Sequence, residues 1–181
     1  MSLGKITPFL WYDSEAEEAA NFYVSIFPNS SIKHVVRSTG SGQEFHHREE
    51  GSVMVVKFEL DGHPFVAMNG GPHVKFNEAV SFQVDCKDQE ELDYFHEKLG
   101  ESGDPKKQQC GRWTFADDIC QMLIISSGWL ADKYGLSWQI VPKKLPELLS
   151  SSDTEKAKRT FDAMLSMKKL NIAELEKAYE G

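Results

Sequence analysis

Few groupings in this chain could carry out a reaction. Its six histidines, His34, His46, His47, His63, His73 and His96, are the natural candidates for metal ligation or proton transfer. They are scattered over different predicted elements, and the adjacent pair His46-His47 diverges along the backbone. They read as solvent-facing or locally hydrogen-bonded groups. The acid pairs Glu17-Glu18, Glu49-Glu50, Glu90-Glu91 and Asp117-Asp118 stand at helix starts and in loops, and read as solvated faces. Cys86, Cys110 and Cys120 are odd in number and show no C-x-x-C spacing, which disfavours a disulfide framework or a thiolate zinc site. They read as small buried hydrophobes in a reducing cytoplasm. No Ser-His-Asp order and no nucleophile elbow is present. What remains is neutral and polar. Asn69, Ser81, Gln83, Ser137 and Gln139 sit at alternate positions of otherwise apolar strands. There they can orient a small molecule by one or two hydrogen bonds.

The elements that must hold these residues are legible as two similar runs. Ile6 to Tyr12 reads as an apolar strand. Ser14 with Glu17 forms a capping box that opens a helix carrying Ala16, Ala19, Ala20, Tyr23 and Ile26 at helical spacing. Ser31 to Ser38, Ser52 to Leu60 and His63 to Asn69 follow as strands, with Asp61-Gly62 as a hairpin turn. The pattern then restarts. Ala79 to Cys86 alternates, Asp88 with Glu91 caps a second helix, and Leu92, Phe95 and Leu99 give its stripe. Trp129 to Pro142 reads as a hairpin turning at Asp132-Lys133-Tyr134-Gly135. Its last run puts Leu136, Trp138 and Ile140 on one face and Ser137, Gln139 and Val141 on the other. Each run is a β-α-β-β-β module, about 5–71 and 78–142. The expected architecture is α+β, with the paired modules forming one cupped mixed sheet, helices outside and a concave cavity inside. Residues 143–181 read as a C-terminal helical extension, capped at Asp153 and again at Asn171 with Glu174.

The composition fits this picture. The 181 residues are 40% hydrophobic and 27% charged, with eleven Phe and four Trp to fill a core. A formal charge of -8 disfavours nucleic acid, which needs a basic footprint. No apolar run is long enough to span a membrane, and no signal peptide is visible at the start.

Three stretches together carry a resemblance. T-P-F-L-W-Y-D with A-E-E-A-A-N-F-Y and F-P-N-S lies within Thr7 to Ser30, S-F-Q-V-D-C at Ser81 to Cys86, and W-L-A-D-K-Y-G-L-S-W-Q-I-V-P at the hairpin. They resemble the PhnB-like family of the glyoxalase/bleomycin-resistance/dioxygenase superfamily, also called vicinal oxygen chelate. A-M-L-S-M-K-K at Ala163 to Lys169 is similar to the family's C-terminal extension. The resemblance implies paired modules, a cupped sheet and a homodimer. Some relatives bear the name 3-demethylubiquinone-9 3-methyltransferase. Yet no glycine-rich strand-to-helix turn of the kind that holds S-adenosylmethionine is legible, since Gly40-Ser41-Gly42 reads as loop and Gly70-Gly71-Pro72 as a break.

The superfamily's enzymes place His and Glu metal ligands on the first and last strand of each module, facing the cup. The resemblance lays Pro8, Ala67, Ala79 and Gln139 on those positions. Pro and Ala have no ligating side chain, and Gln139 alone is a poor anchor for a divalent metal. The expectation is therefore no metal and no cofactor. The cup is expected to be lined by Leu10, Tyr12, Ala67, Asn69, Ser81, Gln83, Ser137 and Gln139. The chain also departs from the family, whose C-G runs straight into the W-L-x-D-K-Y-G motif. Here Arg112 to Gly128 intervene, with apolar residues from Trp113 to Ile125 that must cover the cup, pack under helices or join a dimer interface.

Three readings follow. The first is a metal-independent small-molecule-binding protein whose ligand the sequence does not name. The second is a metal-dependent lyase, isomerase or dioxygenase with a divergent site. The third is a dimeric interaction module. Whether any reaction is catalysed is left open at this point.

Overall fold

The computed structural model describes residues 5–46, 48–101, 103 and 128–181. They fall into two units, Met1–Phe76 and Asn77–Gly181. In the first, β1 (Phe9–Tyr12) leads into α1 (Ala16–Ile26), then β2 (Ser31–Arg37), a single helical turn α2 (Gln43–His46), β3 (Val53–Leu60) and β4 (His63–Asn69). The sheet order is β1-β4-β3-β2. The first and last strands pair in parallel, Leu10 opposite Ala67, and the other pairings are antiparallel. Asp61 and Gly62 both have positive φ, 46° and 76°, as a two-residue hairpin turn requires.

One face of this sheet is given to α1. Leu10, Tyr12, Val56, Phe58, Leu60, Phe65 and Ala67 are all buried there, against Ala16, Ala19, Ala20, Tyr23 and Ile26. The alanine stripe lets the helix approach closely, so that Tyr23 stacks on Phe58 at 6.5 Å between ring centroids and its hydroxyl lies 3.3 Å from that of Tyr12. The helix starts differently from the expected capping box. Its N-cap is Glu15 and makes no side-chain cap bond. Instead the side chain of Asn69, at the far end of β4, accepts from the Ala16 N–H at 2.8 Å and donates to the Val53 carbonyl at 3.0 Å.

The second unit repeats the plan. β5 (Ser81–Cys86) leads into α3 (Gln89–Gly100), and β6 (Trp129–Ala131) and β7 (Ser137–Pro142) close a sheet in the order β5-β7-β6. Again the first and last strands are parallel, with Ser81 opposite Ser137. The fold is thus α+β, two mixed sheets with helices and a helical C-terminus. The insertion expected at 112–128 lies outside the described residues except for Gly128. So does the segment in which another strand of this module would fall. Asp88 caps α3 as expected, accepting from the Glu91 N–H at 2.9 Å.

The hairpin is organised by Asp132, which is 2% exposed. One carboxylate oxygen accepts from the Tyr134 and Leu136 N–H groups at 2.9 and 3.0 Å, and the other from the Trp138 indole N–H at 2.9 Å. A buried carboxylate is stable only with such a donor set. Gly135 follows with φ 87°.

The C-terminal helices α4 (Leu145–Leu149), α5 (Thr154–Leu165) and α6 (Ile172–Glu180) belong to this second unit, with Asp153 and Asn171 as the expected caps. The strap between α5 and α6 ties down on its own module. Gly128 donates to the Lys168 carbonyl, and Gln89 of α3 both donates to the Leu170 carbonyl and accepts from the Ile172 N–H. Lys169 pairs with Asp93 of α3 at 2.7 Å, which holds that carboxyl below its ordinary value. One turn further along α3, burial chiefly, and Lys169 after it, lower the pKa of His96, with Asp93 opposing.

Two outcomes are expected here. Asp132→Asn places an amide N–H group against donors and should lower stability by about 1–3 kcal/mol in urea unfolding with an unchanged slope. His96 binds its proton less readily folded than unfolded, so stability is full above the ordinary value of 6.5 and is lost as pH falls below it. His96→Gln should therefore shrink the fall in urea midpoint between about pH 7.5 and about pH 5.5.

Candidate functional site

The expected lining residues do not all face one way. In β1 and β4 the pleat runs opposite to the expectation. Leu10 and Tyr12 are only 5% and 4% exposed, and with Ala67 they lie under α1. The open face of that sheet instead carries Phe9, Trp11, Val66 and Met68, with Val55 of β3 beside Met68. The physical reason is the lack of contrast in F-L-W-Y and in P-F-V-A-M: both faces of these strands are apolar, so alternation alone does not say which is covered. Asn69 is a structural fastener, with both ends of its amide engaged.

In the second unit the strands alternate as expected. Ser81, Gln83, Ser137 and Gln139 share the side of the sheet opposite Trp138. Gln139 donates to the Ser81 hydroxyl at 2.8 Å, and Gln83 donates to Asp85 at 2.7 Å. Ser137 is 1% exposed, and its hydroxyl has no partner among the described residues. Cys86 is no nucleophile. Burial, helped by Glu91, Asp85 and Asp88, pushes its thiol up to about 12.

Among the described residues, a site with room for a ligand lies in the first unit, on residues the sequence reading passed over. A cleft of about 540 Å³ opens on the uncovered face where β1 and β4 end. Trp11, Met54, Val55 and Met68 form an apolar floor, the Gly70-Gly71-Pro72 turn a wall, and Asp13, Arg48 and His73 the rim. The turn is built around Trp11. Gly70 and Gly71 extend the parallel ladder, bonding to the Tyr12 and Asp13 carbonyls at 2.8 and 3.2 Å, and the Trp11 indole N–H donates to the Gly71 carbonyl at 2.8 Å. A Cβ on Gly70 would stand 2.2 Å from the indole ring, so only glycine fits. At the rim an Arg48 Nη donates to the Asp13 carbonyl. The one sequence signal for this arrangement was Gly-Gly-Pro directly after a strand paired with the Trp11 strand. Arg48 comes from a polar loop with no periodicity to place it.

The positions that the resemblance assigned to metal ligands do not suit a metal. Ala67 faces α1, and its open-face neighbours on β4 are Val66 and Met68. On β1 the open-face residues are Phe9 and Trp11. Only Gln139 carries an oxygen donor, and its amide nitrogen is bonded to Ser81. Among the described residues no three His, Cys, Asp or Glu side chains cluster as a metal site. No described helix is long and apolar enough to cross a membrane.

Residues 4–141 match the 3-demethylubiquinone-9 3-methyltransferase family. The chain belongs to this family. A Bacillus cereus PhnB protein that bears the same methyltransferase name is 32% identical, over 75% of this chain and 97% of its own, with a TM-score of 0.54. A Pseudomonas aeruginosa protein is 15% identical over 75% of this chain and 94% of its own, and with a TM-score of 0.51 it shares the fold. No curated protein matches.

The Trp11 platform makes a sharp expectation. Gly70→Ala forces the indole off its seat and should cost about 1–3 kcal/mol, as overpacking does. Loss of the Trp11 contribution to the near-ultraviolet circular dichroism, judged against Trp11→Phe, should accompany it. An unchanged spectrum would show that the ring is not held by this turn.

Proposed function

We propose that this PhnB-like protein binds a small, partly apolar molecule, and does so without the superfamily's metal. The observation that carries this reading is the cleft beside Trp11. It has the size of a small-molecule pocket, an apolar floor and a few polar groups at its rim. The residues at the expected ligand positions supply no donor set for a divalent ion, and that supports a role built on binding. The family's methyltransferase name finds no support in the described glycine turns. Gly40-Ser41-Gly42 leads only into the single turn Gln43–His46, and Gly70-Gly71 is occupied with Trp11. We place the protein in the cytoplasm as a homodimer, on the family resemblance and on the free, buried thiol of Cys86.

A thermal-shift screen of metabolite-sized compounds tests the reading. A true ligand at about a hundred times its Kd should raise Tm by ~5–10 °C. The rise should survive prior dialysis against chelator and vanish in Val55→Trp, which fills the cleft floor. No stabilising compound, or stabilisation that persists in the filled variant, defeats the reading. Stoichiometric Ni, Fe, Mn or Zn in protein purified without chelator would instead favour the metal-dependent alternative.

A further inference from the structure

We infer, resting on the reading that the cleft binds a partly apolar molecule, that its ligand reaches out of the cleft across the open sheet face and carries one anionic group, which Lys57 receives. The strand register lays two rows of side chains across that face. In the first, Val36, Val55, Met68 and Trp11 stand opposite one another in turn on β2, β3, β4 and β1. Strands at their usual spacing make this row about 14 Å long. The cleft takes in only its Val55, Met68 and Trp11 end. In the second row, about 7 Å further along the strands, His34, Lys57, Val66 and Phe9 follow in the same order. α1 covers the other face of the sheet. The open one meets solvent at both edges, with Phe9 58% and Val36 38% exposed. An apolar surface that continues the cleft floor to both sheet edges is larger than a compact ligand would use.

The charges on this face point to the acid. Lys57 is exposed between Val66 and His34, and among the described residues it makes no salt bridge. The carboxylate of its own strand, Glu59, is taken by Lys33 at 2.7 Å. At the end of β2, Arg37 is turned to Glu17 at 3.1 Å. At the cleft rim Arg48 and Asp13 carry opposite charges. These pairs balance, and the Lys57 ammonium is the charge left unmatched. A cationic ligand end is repelled there, and an apolar end laid over the ammonium strips its water without return. An anionic end pairs with it, and the His34 ring can add a hydrogen bond to the same group. The lysine stem itself extends the apolar surface up to that point. The ligand class is thus an amphiphilic monoanion, with its apolar body on the cleft floor and its acid at Lys57.

Calorimetric titration of the full chain with octanoate, 1-octanol, octylamine and butyrate tests this. Octanoate should bind about three- to fivefold more tightly than 1-octanol at low ionic strength, the size of an exposed ion pair, and octylamine more weakly than either. Butyrate should fall behind octanoate by more than about tenfold, because it buries fewer methylenes. Lys57→Gln, an exposed change that should keep the native Tm, removes the preference for acid over alcohol and leaves 1-octanol binding as it was. Sedimentation of Phe9→Ser checks for another occupant. Weaker octanoate binding at unchanged sedimentation supports the inference, whereas a shift from dimer to monomer would show that a second copy covers this face and would overturn it. If 1-octanol, octylamine or butyrate binds as well as octanoate, or if the preference survives Lys57→Gln, the inference is wrong and the cleft reading stands. Absence of octanoate binding, in a protein whose screening hits still vanish in Val55→Trp, overturns it in the same way. Hits that persist in Val55→Trp bring down the cleft reading itself.

Discussion

Both units depend on one constraint, the parallel pairing of a module's first strand with its last. Parallel neighbours cannot be joined by a tight turn, so the chain must leave the sheet and return. α1 and α3 make that departure, and each covers one face of its own sheet. The other face is left to be lined by whatever the strands present. The same pairing brings distant segments together at the strand ends. There each unit sets a polar side chain that neutralises exposed backbone. Asn69 bridges the start of α1 and the start of β3, and Asp132 gathers two N–H groups and the Trp138 indole. Both side chains are engaged within the protein, and both shape the surfaces next to them.

How much of this could be read in advance depended on sequence distance. Asp88, Asp153 and Asn171 lie within a few residues of the N–H groups they cap, and each is recognisable from spacing alone. The cap of α1 lies 53 residues away from the helix it serves, so the nearby Ser14 with Glu17 was a false lead. The faces of the strands follow the same logic. S-F-Q-V-D-C alternates polar with apolar, and its polar side is where alternation put it. The apolar runs in β1 and β4 carry no such contrast. Only the seating of α1 decides that Leu10 and Tyr12 go under and Trp11 and Met68 stay open.

The C-terminal segment shows a related point. The spacing of caps marks residues 143–181 as helical but does not show which surface they pack on. A backbone bond from Gly128 and two bonds from the Gln89 side-chain amide to the strap answer that, because they tie the helices to their own module. Gly128 has φ 81° and a Cβ there would meet the Ile140 carbonyl at 2.3 Å, so the close approach of this residue to β7 requires glycine. Part of the helical extension is thus core. Met164, Leu170 and Leu175 are fully buried.

The reversal of the pleat in the first unit also changes what the chemistry of the site can be. Had Leu10, Tyr12 and Ala67 lined the open face, the site would have been a shallow aliphatic surface with a phenol in it. The observed face instead sets the Trp11 indole beside Met68 and Val55, with Arg48 and Asp13 at the rim of the cleft. Catalysis through a metal needs convergent anionic or imidazole donors, and this face has none on its strands at the positions the family resemblance marks. The shape of this face then rests less on the strand residues themselves than on the Gly70-Gly71 turn, since that turn decides where the Trp11 ring lies.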